Sequence, residues 1–543
     1  MARRHSSYSS AVRFGGTWLV TPRLRVRTRN HPQCLSISST TTTSSSGYQS
    51  IGSFHNDNLY EILAQDDATY QPPPLPFDGS NHNDQLPQAQ FDPVEYRAHH
   101  FSLDLTNWTF LNHGAFGAAL RVGQDRAQQW RTFAETQPLR YHDRYLLPHL
   151  AHSARRLARF LVGPSHKLSL MADQYALLPN VTTGMNAVLH NYTLQQGEHS
   201  HIFILDTTYG SVKTMARHYG KRGKVTEIPI LPFLAKGAPN QHNASQSYIF
   251  ELALCNVLNE VGLPDKEGKE PVLILDQTTS NTALTLDVEQ LAESFKAIVH
   301  PNAYVVVDGA HGLWAENTQW LATGDSSVDV YLTNGHKWLA APRGVGLAWV
   351  RNQEARCTFL NHPTVLSHGA QAPDLLSRFV WDGCRDYTAA LAVPAVLDFW
   401  EAIVEKHDES RVELERERVK KLLWRGVSLL AHQWHGVADD VTTIKDGGFD
   451  HGLLLASYEF GWLNAPMLLL RLPAHCEKAN NTNTSEDAKR IQDYLYERQV
   501  EVPIKCIRGQ LYVRLSCHVY NCLEDFDRLA KIMVSQPTKL EIS

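Results

Sequence analysis

Lys337 stands in Asn334-Gly335-His336-Lys337-Trp338, within the apolar stretch YLTNGHKWLAAPRGVGLAWV (331–350). Burial penalises an ammonium, so a lysine in such surroundings is neutralised or used covalently. Asp308 precedes it, at the end of AYVVVDGAHG. A strand-end carboxylate favours a protonated ring nitrogen nearby, and a lysine amine can hold an aldehyde as a Schiff base. Together the two residues point to an enzyme that uses pyridoxal phosphate, whose protonated ring accepts electrons from a carbanion at the substrate α-carbon.

Such a site also needs a phosphate cradle, a face for the ring and a cation for the substrate carboxylate. Asn180-Val181-Thr182-Thr183-Gly184 opens a helical run. Hydroxyls and backbone N–H groups at a helix N-terminus receive a dianion, although TTG before a helix is also a plain N-cap. Tyr209, after a second strand-end acid, is placed to stack on the ring; the alternative is a turn tyrosine. His311 stands close after Asp308, within reach of the ring hydroxyl, and is otherwise a structural histidine. Arg514, inside the apolar strand LYVRLS (511–516), suits the planar α-carboxylate or, failing that, an internal salt bridge. Asn112 and His113, in NHGAFG (112–117), offer a lip on the substrate side. The cysteines form no CxxC pair, so no metal site is expected.

The elements that must position these groups are legible as apolar runs. HIFILD (201–206), PVLILD (271–276) and AYVVVD (303–308) each end in Asp. Short β-rich runs between helical stretches predict an α/β fold with a mainly parallel sheet covered on both faces, its ligands outside the carboxyl ends of the strands. SARRLARFLVG (153–163) reads as a helix stopped at Gly163-Pro164, and 401–431 as a long amphipathic helix leaving the large domain. LLLASYEF (453–460), MLLLRLP (467–473) and LYVRLS read as strands, and EDAKRIQDYLYERQ and DFDRLAKIM as helices, of a smaller α+β C-terminal domain. The expected organisation is a transit segment over 1–50, a poorly packed linker over 51–92, a large domain over 93–400 and a small one over 401–543.

Bulk properties exclude other classes. The 543 residues are 43% hydrophobic and 20% charged with a net charge of −5, so neither nucleic acid nor another polyanion is an expected partner. No apolar run reaches the roughly 20 residues of a membrane span. The eight scattered cysteines read as free thiols. Residues 1–50 hold seven Arg, a Ser/Thr tract and no acid, the composition of an organelle-import segment, with mitochondrion favoured over plastid and a cytoplasmic location as the alternative.

These segments resemble the class V aminotransferase family of fold-type I pyridoxal phosphate enzymes, in the branch of isopenicillin N epimerases, plant-type cysteine desulfhydrases and hercynylcysteine sulfoxide lyases. The resemblance is carried by LNHGAFG (111–117), LPNVTTGMNAVL (178–189), DQTTSNTALTL (276–286), VVVDGAHG (305–312), TNGHKWLAAPRGVG (333–346) and EVPIKCIRGQLYVRLSCHVYN (501–521). It implies that Lys337 is the Schiff-base lysine, Asp308 the pyridinium partner, Thr182 and Thr183 the phosphate pair, Tyr209 the ring-stacking residue and Arg514 the carboxylate arginine. It adds Ser280 beside the cofactor and Asn334 near the phosphate, and implies a homodimer acting on an amino acid. Two departures bear on the reaction. Desulfurases carry a catalytic Cys on a mobile loop before the arginine, whereas VPIKCIRGQLYVR (502–514) is too tight for one and holds Cys506 alone; and Cys384 replaces a Thr common in relatives. The expected reaction is carbon–sulfur elimination on cysteine, a cysteine conjugate or a sulfoxide. Epimerisation is the runner-up and needs a second acid/base, for which Tyr209, His113 and His336 stand as candidates. A catalytically silent protein of this fold is a minor third reading.

Overall fold

The three Asp-terminated runs become neighbouring strands of one sheet. The structure, a computed structural model, describes residues 13–14, 17–18, 48–51, 54–78, 95–234, 245–263, 270–323, 325–402 and 411–535. The chain falls into two units, Met1–Thr42 and Thr43–Ser543. In the first, Arg13–Phe14 pairs antiparallel with Thr17–Trp18; the rest of the expected import segment, as far as residue 47, lies outside the described residues.

In the second unit the central sheet has seven strands: β1 (Tyr175–Leu178), β2 (His201–Leu205), β3 (Lys224–Ile228), β4 (Val272–Asp276), β5 (Tyr304–Gly309), β6 (Val330–Asn334) and β7 (Gly346–Val350). Their order is β1-β7-β6-β5-β4-β2-β3. Strand β7 runs antiparallel to both neighbours, and the other pairs are parallel. All residues of these strands except those of β3 include no exposed position, as expected where helices cover both faces of a parallel sheet. The covering helices include α1 (Arg121–Thr136), α2 (Leu147–Val162), α3 (Val181–Gln196), α4 (Gly210–Tyr219), α5 (Gln246–Val261) and α6 (Val288–Ile298). Helix α2 stops at Gly163, whose φ of +82° suits a residue without a side chain.

After α7 (Val393–Ala402), helix α8 (Arg411–His435) enters a second layer. That layer adds β8 (Met467–Arg471), α9 (Ser485–Tyr496), β9 (Ile504–Ile507), β10 (Gln510–Ser516) and α10 (Leu523–Val534). The strands form an antiparallel sheet in the order β8-β10-β9. Leu511, Val513 and Leu515 are buried on one face of β10. The alternate residues Tyr512, Arg514 and Ser516 take the other face, and Arg514 reaches from it to Ser280 O beyond β4. The N-terminal segment is stitched alongside: Thr109–Phe110 pairs with Val500–Glu501, and Asn112 bridges Ser516.

Two expectations change. LLLASYEF is not a strand: residues 453–460 form turns and bends, between Gly452 and Gly461, whose φ values are +70° and +74°. Nor is the whole of 51–92 poorly packed. Leu59 and Leu63 are fully buried, the Arg155 guanidinium donates to the carbonyls of Ile62, Leu63 and Gln65, and Asp67 pairs with Arg155 and Arg159. Residues 79–92 lie outside the described residues. Of the expected free thiols, Cys255, Cys384, Cys476, Cys506, Cys517 and Cys522 are free.

Candidate active site

Parallel strands deliver their last residues to one edge, and the acids meet there. Asp276 ends β4 and Asp308 lies in β5, directly opposite each other in the parallel ladder. Both are buried and both line a cavity of about 360 Å³ with Lys337, His311, Tyr209 and Ser280. Burial pushes the Asp308 carboxyl up, and burial together with Asp308 pushes Asp276 well above the usual range. Two adjacent buried carboxyls resist ionising together. Asp308 Oδ1 accepts from Ala310 N, and Asp276 Oδ1 from Tyr209 N. Asp276 Oδ2 has no partner among the described residues.

Lys337 follows β6. Burial lowers its amine to about 8, against an opposing pull from Asp308. Its Nζ lies 3.1 Å from His311 Nε2, and Trp338 Nε1–H donates to His311 Nδ1 at 3.2 Å. Burial holds His311 neutral. With Nδ1 accepting, the proton sits on Nε2 and points at Lys337, whose amine receives it once unprotonated, above about pH 8.

The N-terminus of α3 forms the opposite wall. Asn180 Oδ1 accepts from Thr183 N and Thr183 Oγ1, and Asn334 Oδ1 accepts from Val181 N. Thr182 is exposed and lines the cavity; Thr183 instead turns to the cap. Tyr209, 44% exposed, stands at the mouth. Gly117 has φ +67°, and a Cβ there would lie 2.0 Å from His336 O. Only glycine lets the NHGAFG segment approach the Lys337 backbone so closely. Ala115 and Phe116 then form the rim, and Arg343 Nη2 donates to Gly117 O.

Arg514 is buried, and burial lowers it to about 10. It donates to Ser280 O at 2.5 Å and to Asn112 Oδ1 at 3.4 Å, while its Nε has no partner among the described residues. Asn112 is a strut for this guanidinium, held in turn by Glu501 at 3.1 Å. His113 does not face substrate: it is 0% exposed. Its Nε2–H donates to Lys337 O at 3.0 Å and its Nδ1 accepts from the Tyr520 hydroxyl at 2.9 Å. Burial lowers it to about 3, so it is a neutral prop. His336 lines the cavity, lowered to about 4 by burial. Cys506 donates to Asn483 O at 3.2 Å, and it alternates with Lys505 on the face of β9 opposite to the Arg514 side.

Sequence reasoning assigned no role to Asp276 or Trp338. The first was visible as a run-end acid, but its pairing with Asp308 depends on strand order. Nothing in the sequence signals the second.

The set fits pyridoxal phosphate. The cavity offers an amine with a depressed pKa, a carboxyl pair with one unpartnered oxygen, and a capped helix N-terminus with Thr182 facing in. Beside it lies a buried guanidinium with an unused donor. Unsatisfied buried polar atoms are costly and mark where a ligand completes the site.

An aminotransferase class-V family model matches residues 268–408. The chain is 24% identical over 450 residues to the probable L-cysteine desulfhydrase, chloroplastic, of Arabidopsis thaliana, covering 77% of this chain and 81% of that protein. It is 24% identical over 444 residues to the isopenicillin N epimerase of Amycolatopsis lactamdurans, covering 78% and 94%. Among solved structures, the complex between the cystine C-S lyase C-DES and its reaction product cysteine persulfide aligns with a TM-score of 0.57 at 16% identity, covering 79% of this chain and 98% of that one. That likeness is one of fold, the fold-type I architecture described above.

Proposed function

We propose that this chain, a member of the class-V aminotransferase family that uses pyridoxal phosphate, is a carbon–sulfur lyase acting on cysteine, a cysteine conjugate or a cysteine sulfoxide. The observation that carries the reading is a buried amine at the cavity, Lys337 Nζ, lowered to about 8 by burial and so within reach of the neutral form that takes a proton. Names of relatives add support, since L-cysteine desulfhydrase is the name of several.

Pyridoxal phosphate, when bound, supplies the electron sink that stabilises negative charge at the substrate α-carbon. Lys337 would hold it covalently, Asp308 would face the ring nitrogen, Tyr209 the ring, and Thr182, Asn180 and Asn334 the phosphate end. Arg514 grips the substrate α-carboxylate through its fork, with Ser280 O and Asn112 fixing the guanidinium plane. Lys337 Nζ, largely unprotonated above pH 8, takes the α-proton. His311 Nε2–H steadies the lone pair of that amine until then. Loss of the proton and departure of the sulfur group with its electron pair leave a three-carbon fragment. Water and a proton convert it to pyruvate and ammonia.

Epimerisation needs an acid/base opposite Lys337. Of its three candidates, His113 is behind the lysine and bonded on both nitrogens. That weakens the epimerase reading and favours elimination. The reading extends to a homodimer with the site at the subunit boundary, supported by Phe116 on the cavity rim at 67% exposure, and to organelle import by residues 1–50. Light scattering and a reporter fused to that segment test these two parts.

The test of the reaction is to offer the protein L-cysteine, cysteine conjugates and hercynylcysteine sulfoxide while following pyruvate and sulfide. Pyruvate from any of them is the expected result. Exchange of the α-proton with solvent and no pyruvate overturns elimination in favour of epimerisation.

A further inference from the structure

The small sheet sets a second cation beside Arg514. Strands β9 and β10 pair with Ile504 opposite Val513 and Lys505 opposite Tyr512, and Arg514 N donates to Pro503 O at 2.9 Å. Because side chains alternate along a strand, Lys505, Tyr512 and Arg514 share one face. It is the face from which Arg514 reaches Ser280 at the cavity. Lys505 lies diagonal to Arg514 across the ladder, a spacing of roughly 7–8 Å that long side chains span.

Neither cation has a counter-ion among the described residues. Among the described residues, the Lys505 ammonium has no ion-pair or hydrogen-bond partner. It is half-buried, and burial followed by the like charge of Arg514 lowers it to about 8. Arg514 likewise has no carboxylate among the described residues acting on it. Two neighbouring cations, poorly solvated and uncompensated, are unfavourable unless an anion joins them. The α-carboxylate that every amino-acid substrate carries accounts for Arg514 alone. Lys505 is left over.

We propose that Lys505 forms an anion subsite for a second acidic group on the substrate, so that the preferred substrate is an amino acid whose sulfur substituent carries a carboxylate, sulfonate or comparable oxyanion. The proposal rests on the lyase reading above and deepens it. A lysine suits this task better than a second arginine, because a point charge on a flexible stem follows an anion whose position varies with the substituent.

The test compares S-carboxymethyl-L-cysteine with S-methyl-L-cysteine on the holoenzyme, wild type and Lys505→Met. Both kcat/KM from pyruvate release and dissociation constants from the change in cofactor absorbance on titration are read. Wild type should favour the carboxymethyl compound by about tenfold, the worth of one charge-assisted hydrogen bond. In Lys505→Met the preference should fall to within about twofold of unity, and Lys505→Arg should restore part of it. Equal preference in wild type and Lys505→Met, in either measurement, overturns the subsite. Absence of pyruvate from both compounds overturns the lyase reading instead, and the binding titration then still decides for or against Lys505.

Discussion

Histidines and their neighbours stand on both sides of the Lys337 backbone, and the two sides are built to opposite ends. In front, His311, Asp276 and Asp308 line the cavity and Arg514 reaches its lining residue Ser280, and Asp276 Oδ2 and Arg514 Nε lack partners among the described residues. Behind, the rings of His113 and His518 stack at 4.0 Å between centroids. Their Nε2–H groups donate to Lys337 O and Trp338 O. Trp314 covers His518 from the far side at 4.6 Å. Two nitrogens, His518 Nδ1, an acceptor in this tautomer, and Trp314 Nε1, are left without a partner there among the described residues. Burial keeps both histidines neutral. The front opens on a cavity where a ligand can reach its unpartnered atoms, whereas the back is closed by ring packed on ring. A buried histidine near the cavity lysine is therefore no guide to chemistry until its hydrogen bonds are traced.

Substitutions on the two sides should separate cleanly. Lys337→Ala should abolish the visible absorbance of lysine-bound cofactor and lower kcat by about 10³-fold or more, the size of a lost general base. Arg514→Ala should raise KM for α-carboxylate substrates by roughly 10- to 100-fold, the loss of charge-assisted hydrogen bonds, with a much smaller change in the denaturation midpoint. His113→Ala should do the reverse. It empties a packed aromatic site and frees the Lys337 carbonyl, at a cost of about 3 kcal/mol in urea unfolding, while the folded fraction keeps its cofactor absorbance. A His113 variant that lost activity without losing stability would erase the distinction between front and back.

The sequence made the frame of the site readable and left its polarity hidden. Apolar runs ending in Asp are legible because a parallel sheet buried on both faces needs continuous apolar strands, and its active edge lies at their carboxyl ends. Gly117 in NHGAFG was a turn in the sequence and is a contact in three dimensions, demanded by His336 O. His113, His311 and His336 sit in equally plausible motifs. Only tertiary burial and partners such as Tyr520 and Trp338, distant or silent in sequence, tell prop from site. LLLASYEF misled because burial of Leu453 and Leu454 resembles a strand pattern, while the backbone turns through bonds from Leu453 N and Leu454 N to Gly448 O. The expected linker over 51–92 misled in the other direction, since Asp67 finds Arg155 and Arg159 far along the chain.

The smallest expected effect probes the boundary between the two sides. Trp338 is buried with the back, yet its indole N–H donates to His311 in front, which fixes the His311 proton on Nε2. That arrangement favours an uncharged Lys337, because an ammonium would meet an N–H rather than a lone pair. In the apoprotein the rate of cofactor capture should rise as pH passes through about 8, where Lys337 loses its proton, and then flatten. A lysine with the ordinary value would keep gaining up to 10.5. In Trp338→Phe, His311 is free to carry its proton on Nδ1 and to accept at Nε2 from the Lys337 ammonium. The charged form is then favoured, so the midpoint should move upward, by about 0.5–1 pH unit for one lost hydrogen bond. A change in packing alone would lower stability and leave the midpoint in place. An unmoved midpoint would thus assign Trp338 wholly to the back, and a rise would make it the link through which the closed side sets the protonation of the reactive one.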